Sequence, residues 1–304
     1  MKTTRRTFVR NASLAAAGSA LGPGAKAARL PIAFSTLGCP TWALPKILDF
    51  AQEHGFSAIE LRGLEGNLDL PSHPAFGPEN LGQTKRALAT HGLRIACVGS
   101  SARMHETEPA RRAHEMADAR RFIDLAAALE APYVRVFGTD ADTLVLPDEH
   151  LKARVAAGLR ELGEYAGPRK VGVLIESHDD FTSSASLADV LGRANSLNVA
   201  LLWDAYHTFV SSKEEPEFTV RQLGGWIRHT HLKDGAGVTG NERKYVLTGR
   251  GDVPIQRQVR ALRAARYRGL YCFEWEKVWH PDLEEPEIAI VDFARAVRGY
   301  LRED

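Results

Sequence analysis

Four short stretches of this chain consist of an apolar run followed by residues whose side chains can bind a metal ion. They lie at residues 173–178, 201–207, 229–234 and 271–276, with polar residues at the carboxyl end of each run. In a barrel of parallel strands, side chains at these ends converge on one mouth. Two Glu, one Asp and one His form a hard, oxygen-rich donor set, which suits Mn²⁺, Mg²⁺ or Co²⁺ better than a closed structural zinc site. The pattern therefore predicts a divalent-metal site at the mouth of a barrel.

A metal site of this kind suits chemistry on sugars. An α-hydroxy carbonyl compound offers two adjacent oxygens to the metal, which stabilises the enediolate formed when the proton between them is removed. A base that takes the proton and an acid that returns it complete the reaction. Return to the opposite face of the same carbon is epimerisation, and return at the neighbouring carbon is aldose–ketose isomerisation.

Beyond residue 28, short apolar runs alternate with amphipathic stretches. We predict eight strands, at residues 31–37, 57–62, 94–99, 132–138, 172–176, 199–204, 226–231 and 270–275. We predict eight helices, at residues 41–54, 79–91, 108–130, 149–166, 186–195, 217–224, 255–267 and 287–301, with Ser186 as the start of the fifth. Strand then helix, eight times, predicts an α/β fold consisting of a single (β/α)8 TIM barrel.

An open, doubly wound sheet is the alternative fold. It is disfavoured because no Gly-x-Gly-x-x-Gly motif follows the first strand. Residues 249–254 contain two glycines, but a proline stands where the third glycine should be. We interpret this segment as a turn that leads into the last βα unit.

The composition limits the classes of partner. The 304 residues carry a formal net charge of +1, so no overall field favours nucleic acid or anionic lipid. Cys39, Cys97 and Cys272 lie far apart without a CxxC spacing, which predicts free, small apolar side chains and no disulfide framework. A homo-oligomer is compatible with the sequence, but no residue pattern specifies one.

The first 28 residues predict an export signal. Arg5, Arg6 and Arg10 precede a short Ala- and Gly-rich stretch that ends in small residues near Ala27. The arginine pair before Phe8 resembles the twin-arginine signal, which carries folded proteins across the bacterial inner membrane. The apolar stretch is too short for stable membrane insertion. We therefore predict an export signal at residues 1–28, a barrel at residues 29–304 and a periplasmic location.

The motifs of the second half resemble those of the xylose isomerase-like TIM barrels, which include the sugar phosphate isomerase/epimerase family. The similar strings are Glu176-Ser-His178-Asp-Asp, Trp203-Asp204-x-x-His207, His229-x-His231-Leu-Lys233-Asp234, Gly249-x-Gly251-x-Val-Pro254 and Phe273-Glu274-Trp275-Glu276. The resemblance implies one divalent ion, with Mn²⁺ expected and Mg²⁺, Co²⁺ or Zn²⁺ as alternatives. The ligands that it implies are Glu176, Asp204, His231 and Glu274, and the two glutamates are also the expected catalytic proton carriers.

Further polar residues near the strand ends are predicted to bind the substrate. They are His178 and His207, which the resemblance suggests, together with Glu60, Arg62, Lys233, Lys277 and His280. Lys233 could instead pair with Asp234. His229 is expected to be a packed, hydrogen-bonded barrel histidine. Trp42, Trp275 and Trp279 could form an aromatic wall for a sugar or fill the core.

Three functions remain open from the sequence. The first is a metal-dependent isomerase or epimerase of a free sugar or keto-sugar, which acts through a metal-stabilised enediolate. The second is a lyase or dehydratase that expels a leaving group from the same enediolate, on a 3-keto-glycoside or related polyol. The third is a carbohydrate-binding barrel without activity. The endonuclease branch of the family is disfavoured, because its additional zinc ligands are missing from the sequence.

Overall fold

Eight parallel strands close into a barrel in the part of the chain that the structure describes. The structure is a computed structural model and describes residues 29–140, 146–238, 240 and 243–302. Its strands, in chain order β1 to β10, are Ile32–Ser35, Ala58–Leu61, Arg94–Arg103, Tyr133–Phe137, Gly172–Glu176, Val199–Asp204, Ile227–Leu232, Asp234–Ala236, Lys244–Val246 and Tyr271–Phe273. The order around the barrel is β1-β10-β7-β6-β5-β4-β3-β2, while β8 and β9 form a separate antiparallel pair. The prediction of a single (β/α)8 barrel is confirmed.

Helices alternate with the barrel strands along the described chain. In chain order α1 to α9, they are Leu44–Glu53, Leu81–His91, Pro109–Ala128, Glu149–Ala166, Ser184–Ala194, Ala205–Val210, Pro216–Leu223, Ile255–Ala264 and Pro286–Arg302. Three of the predicted elements, at residues 149–166, 172–176 and 199–204, have the observed bounds. The other predicted elements differ from the observed ones by a few residues at their ends.

Two local predictions were wrong or incomplete. Helix α5 does not start at Ser186, because the hydroxyl of Ser183 accepts the Ser186 backbone N–H and so caps the helix one residue before Ser184. The sequence analysis also missed α6 and the β8–β9 pair. Helix α6 has only six residues and directly follows β6, with Asp204 as both the last residue of the strand and the N-cap of the helix, so it is too short for a helical period to mark it.

The alternation of side chains along each strand decides which residues reach the interior of the barrel. Ile175 and Trp203 point outward into the main core under the helices, whereas Leu174 and Leu202 belong to a small cluster inside the barrel. Because side chains of a strand alternate between its two faces, the inward position that follows Leu174 is Glu176. The inward position that follows Leu202 is Asp204 by the same rule.

Two predictions about the chain as a whole have direct structural tests. Cys39, Cys97 and Cys272 all lie in the described ranges and are buried with free thiols, as predicted. Within those ranges, no helix combines the length and the apolar composition needed to span a bilayer. The predicted export signal at residues 1–28 lies outside the described residues.

Asp234 organises the loop that connects β7 to α8. Its carboxylate accepts the backbone N–H groups of Gly235 at 2.8 Å, Gly249 at 2.8 Å, Gly251 at 3.0 Å and Val253 at 3.2 Å. This explains the two glycines of the predicted turn, since the chain passes very close to the carboxylate. A Cβ on Gly251 would lie 2.3 Å from Asp234 Oδ1 and 2.4 Å from the Gly235 carbonyl oxygen.

We therefore predict that Gly251→Ala lowers the free energy of unfolding by roughly 1–3 kcal/mol, the usual cost of forcing a side chain into a filled space. Urea unfolding would measure it. The control is Gly192→Ala in α5, where the added Cβ meets nothing within 4 Å. That change should raise stability by about 0.5–1 kcal/mol, because alanine favours a helix interior. Equal stability of the two variants would show that the Asp234 loop is not tightly packed.

Candidate functional site

The four residues assigned to the metal come together at the carboxyl end of the barrel. Glu176 and Asp204 end β5 and β6, His231 lies near the end of β7, and Glu274 directly follows β10. Asp204 and His231 are partners in the register of neighbouring strands. One ligand atom from each of the four residues lies within 4.8 Å of the corresponding atoms of the others, and all four residues are buried. The strand ends therefore place an Asp, a His and two Glu side chains around one small volume.

His231 occupies the centre of this cluster. Its Nδ1 atom lies 2.9 Å from Glu176 Oε1 and 3.2 Å from Glu274 Oε1, and its Nε2 atom lies 2.9 Å from Glu60 Oε2. Burial by itself lowers the pKa of the imidazole. The carboxylates of Glu274, Glu60 and Glu176 outweigh this effect and raise that pKa well above its usual value.

The two glutamates have different electrostatic surroundings. For Glu176, burial raises the pKa, but Arg135 and His231 outweigh it and hold the pKa well below its ordinary value. For Glu274, burial raises the pKa, and Glu176 and Glu276 add to it, so that the pKa stays raised despite His231 and Lys233. The Arg135 Nε atom lies 3.1 Å from Glu176 Oε2, which places the guanidinium on one glutamate only.

Lys233 forms the second cationic centre of the cluster. Its ammonium group lies 2.7 Å from Asp204 Oδ2 and 2.7 Å from Glu276 Oε1, and it also contacts Glu274 Oε2. The side chain is fully buried. The alternative that Lys233 pairs with Asp234 was wrong, because Asp234 is occupied by backbone N–H groups of its own loop. A role of Lys233 in neutralising a substrate oxyanion stays a prediction.

The charges of the site fit a divalent cation. Five carboxylates cluster here, four of them buried and the fifth, that of Glu276, partly buried against Lys233. Three cationic side chains lie among them. The carboxylates are those of Glu60, Glu176, Asp204, Glu274 and Glu276, and the cations are Arg62, Arg135 and Lys233. A metal ligand must be a neutral imidazole, so an ion would replace the proton that the carboxylates favour on His231. With neutral histidines, the set carries two negative charges, which a divalent cation would balance. The buried Glu176 Oε2 atom contacts the Arg135 guanidinium at 3.1 Å but accepts no hydrogen bond of good geometry among the described residues. A carboxylate-rich set with one imidazole would hold a divalent ion through Glu176, Asp204, His231 and Glu274.

A second layer of polar residues lies beneath His231. Glu60, the inward residue near the end of β2, lies 2.8 Å from His229 Nε2 through its Oε2 atom and also contacts His231. His229 is thus a packed, hydrogen-bonded barrel histidine, as the sequence analysis expected. Glu60 faces the two imidazoles and not the cavity, because it lies deeper in the barrel than the strand ends. Its position does not support the predicted contact with substrate.

A cavity of about 330 Å³ opens above the cluster. Glu176 and Glu274 lie in its wall together with Arg62, His178 and the exposed Trp279. His178 Nδ1 lies 2.8 Å from Asp179 Oδ1. Burial lowers the pKa of His178, but the hydrogen bond to Asp179 and the charge of Glu176 together raise it to about 9.

A second cavity of about 360 Å³ lies beside the first and has an aromatic wall. Tyr206, His207, Tyr245 and His280 line it. The Tyr245 hydroxyl donates to Glu276 Oε1 at 2.9 Å, and Glu276 lines the first cavity, so this hydrogen bond lies between the two spaces. The predicted substrate residues are therefore divided, with His178 and Arg62 in one cavity and His207 and His280 in the other.

Lys277 and two of the three tryptophans lie outside the two cavities. Lys277 does not reach either cavity, because its ammonium group donates to the carbonyl oxygens of Pro281 at 3.1 Å and Leu283 at 2.6 Å and so holds its own loop. The aromatic wall does not include Trp42 or Trp275. Both are buried, and the Trp275 Nε1–H group donates to the Glu284 carbonyl oxygen at 2.9 Å.

The sequence analysis missed two residues of the site. Arg135 interrupts the apolar strand Tyr-Val-Arg-Val-Phe, and a lone charge in such a strand indicates an inward polar position. Glu276 follows Glu274 by two residues and was assigned no role, although it provides the third carboxylate around Lys233.

Comparison with known proteins identifies the family. A model of the xylose isomerase-like TIM barrel matches residues 48–296. The chain therefore belongs to the xylose isomerase-like TIM barrel family. None of the curated proteins with which the sequence was compared matches it significantly.

Solved structures with the same fold include sugar-modifying enzymes. The probable 3-DHS dehydratase AsbF from Bacillus anthracis is 17% identical, with a TM-score of 0.72 and coverage of 88% of this chain and 99% of that one. D-Allulose 3-epimerase from Methylomonas sp. is 20% identical, with a TM-score of 0.70 and coverage of 90% and 98%. A xylose isomerase-like TIM barrel protein from Mycobacterium smegmatis in complex with magnesium is 18% identical, with a TM-score of 0.68 and coverage of 90% and 95%. At these identities the likeness concerns the fold.

We predict that Mn²⁺ stabilises the chelator-treated protein, because an ion that binds only the folded state raises the free energy of unfolding, by about 2.7 kcal/mol at 100 times its Kd. Thermal unfolding with increasing Mn²⁺ would measure this effect. The double variant Asp204→Asn/Glu274→Gln should lose the shift. Glu130→Gln, on an exposed carboxylate, is the control and should keep it. A shift of equal size in the double variant would place the ion elsewhere.

We also predict that Lys233→Met lowers the stability of the chelated protein by roughly 3–5 kcal/mol, since it leaves buried carboxylates without their counter-charge. The same variant should show a larger Mn²⁺-induced rise in melting temperature than the wild type. The reason is that the ammonium group and a metal ion share Asp204 and Glu274 as partners. An unchanged or smaller rise would indicate that Lys233 does not compete with the ion.

Proposed function

We propose that this protein is a divalent-metal-dependent isomerase or epimerase of a free sugar or keto-sugar. The observation that carries the proposal is the position of Glu176 and Glu274, both within 3.2 Å of one nitrogen of His231 and both in the wall of the cavity. The family supports it, as does the fold shared with a D-allulose 3-epimerase. A cavity of about 330 Å³ is of a size that holds a small ligand.

The chemistry requires an activated proton and two groups that move it. When bound, a divalent ion acts as a Lewis acid that polarises a carbonyl and lowers the pKa of the neighbouring C–H group. In the proposal, one of Glu176 and Glu274 removes the proton from that carbon and the other returns it. Burial of the cluster excludes water, which would otherwise weaken these electrostatic interactions.

Residues of the cavity wall would orient the sugar. His178 and Arg62 supply hydrogen-bond donors beside the glutamates, and Trp279 supplies an exposed aromatic surface against which a sugar ring can pack. We retain His178 and Arg62 as proposed substrate-binding residues on these grounds. Arg62 is nearly buried, and its Nη2 atom donates to Ser101 Oγ at 3.0 Å, which orients the guanidinium.

A lyase or dehydratase is the second candidate, and the aromatic cavity favours it. Cleavage of a 3-keto-glycoside needs space for a leaving group beside the carbon that loses its proton. The cavity lined by Tyr206, Tyr245 and His280 offers that space. His207 also lines it, and the buried Nε2 atom of His207 makes no hydrogen bond to the described residues, so in this candidate reaction it donates a hydrogen bond to the leaving oxygen. A probable dehydratase shares the fold.

We further propose that the protein acts in the periplasm on a substrate without a phosphate group. The arginine pair Arg5 and Arg6 and the following small-residue stretch support export by the twin-arginine route. Sugar phosphates are largely intracellular, so an exported enzyme would meet free sugars. The ion is proposed to be Mn²⁺, and the magnesium complex of a protein with this fold makes Mg²⁺ the first alternative.

We predict that Glu274→Gln lowers turnover by about 10²–10⁴-fold while the fold stays intact, because the amide cannot carry the proton. The measurement is exchange of the substrate C–H for solvent deuterium, with Mn²⁺ present, for free ketoses and for 3-keto-glycosides. Exchange without loss of a group supports the isomerase or epimerase, and release of an aglycone supports the lyase.

The control for this experiment is Glu130→Gln, far from the site and exposed, which should keep full activity. Circular dichroism would show that both variants are folded. Near wild-type turnover in Glu274→Gln would contradict the proton-transfer role. Binding of a sugar without exchange or release by the wild-type protein would favour a carbohydrate-binding barrel.

A further inference from the structure

A cavity of about 480 Å³ lies at the amino end of the barrel, opposite the candidate active site. Its wall is formed where β3, β4 and β7 begin and by the loop between α8 and β10. The residues that line it take no part in the proposed reaction. Only His229 connects the two ends, since it borders this cavity and contacts Glu60 beneath the cluster.

Four arginines line this cavity, namely Arg94, Arg228, Arg266 and Arg268. No aspartate or glutamate occurs among the described residues of the lining. Within the described ranges, no carboxylate makes an ion pair with Arg94, Arg266 or Arg268, and Arg228 donates only to the backbone oxygens of Gly225 at 3.0 Å and Ile227 at 3.1 Å. The cavity therefore collects positive charge without a counter-charge of its own.

This group of four arginines is unusual for a chain that is nearly neutral, with a net charge of +1. The carboxylates that balance the total lie elsewhere, and three of them, Glu176, Asp204 and Glu274, are buried at the opposite mouth. Like charges gathered around one concave space repel each other, and the repulsion is relieved by a multivalent anion more effectively than by chloride. The four guanidinium groups are exposed and so accessible to a solute.

The backbone around the arginines is held by specific contacts. The Tyr267 hydroxyl donates to the carbonyl oxygens of Leu270 at 3.1 Å and Arg228 at 3.3 Å, which ties the loop before β10 to the start of β7. Arg266 adopts a left-handed conformation, with φ of 58°. Arg94, Arg228 and the ring of Tyr133 line the same wall of the cavity. The arginines thus come from three elements whose relative positions the fold sets.

We propose that this cavity is a binding site for a small multivalent oxyanion of the phosphate type. Guanidinium groups pair with such anions through two parallel N–H···O bonds, which gives both strength and geometry. A concave space of this volume favours a small solute over a flat membrane surface, although a lipid headgroup carries the same chemistry. The site is independent of the proposed reaction.

The test uses the full-length protein without added divalent metal, at constant ionic strength. Isothermal titration with inorganic pyrophosphate should show binding at one site, and Arg94→Gln/Arg268→Gln should weaken it at least tenfold. The matched control is Arg86→Gln/Arg111→Gln, which removes the same charge from two exposed arginines on α2 and α3. This control should bind pyrophosphate like the wild type.

Three outcomes would overturn the proposal. The first is absence of binding at millimolar pyrophosphate, and the second is equal weakening in both double variants, which would indicate a general charge effect. The third is co-sedimentation with vesicles of phosphatidylcholine and phosphatidylglycerol that depends on Arg94 and Arg268 while pyrophosphate does not bind. Sugar turnover should be unchanged in both variants, so a failure here is separate from a failure of the proposed function.

Discussion

The enclosure of His231 and Lys233 by buried carboxylates is the interaction on which the mouth of this barrel depends. A carboxylate taken out of water is costly unless a counter-charge lies in contact with it. Asp204 and Glu274 meet this requirement by sharing Lys233, and Glu176 meets it through Arg135. The strands must therefore be aligned so that the charged side chain at each strand end lies next to a group of opposite charge. The register between β6 and β7 meets this requirement, because it places Asp204 beside His231.

Small side chains inside the barrel make room for this polar network. The interior near the amino end is filled by residues such as Ala33, Ala58 and Cys272, which occupy little volume. Gly99 serves the same purpose at the mouth, where a Cβ would lie 2.8 Å from Arg62 Cδ and 3.1 Å from Arg135 Nη2. The side chains of Arg62 and Arg135 fit next to each other there because Gly99 has no side chain. The outward faces of the same strands carry the apolar residues that bind the helices.

In the proposed enzyme, the loops around the mouth would set the substrate specificity, because they form the walls of the two cavities. The cluster of carboxylates suits several reactions that begin with removal of a proton next to a carbonyl, and a fold alone does not choose among them. The space around the cluster differs on its two sides. One cavity carries His178 and Trp279, whereas the other is bounded by Tyr245 from the β8–β9 pair. The hydrogen bond from Tyr245 to Glu276 limits what can extend from one to the other.

The sequence alone predicted the eight barrel strands, eight of the helices and the closed parallel barrel, because periodicity marks each of these elements. A polar residue at the end of an apolar run marked the mouth, and the resemblance to the xylose isomerase-like barrels selected residues 176, 204, 231 and 274 among the polar residues there. Only the tertiary structure decided which charges pair. The local pattern offered Asp234 as the neighbour of Lys233. In the fold, the Asp234 carboxylate instead accepts backbone N–H groups of the loop that follows it, and Lys233 contacts the carboxylates of Asp204, Glu274 and Glu276. The sequence also could not show that Lys277 and Glu60 lie outside the walls of the two cavities, since the depth of a side chain and the partners that compete for it are properties of the packed chain.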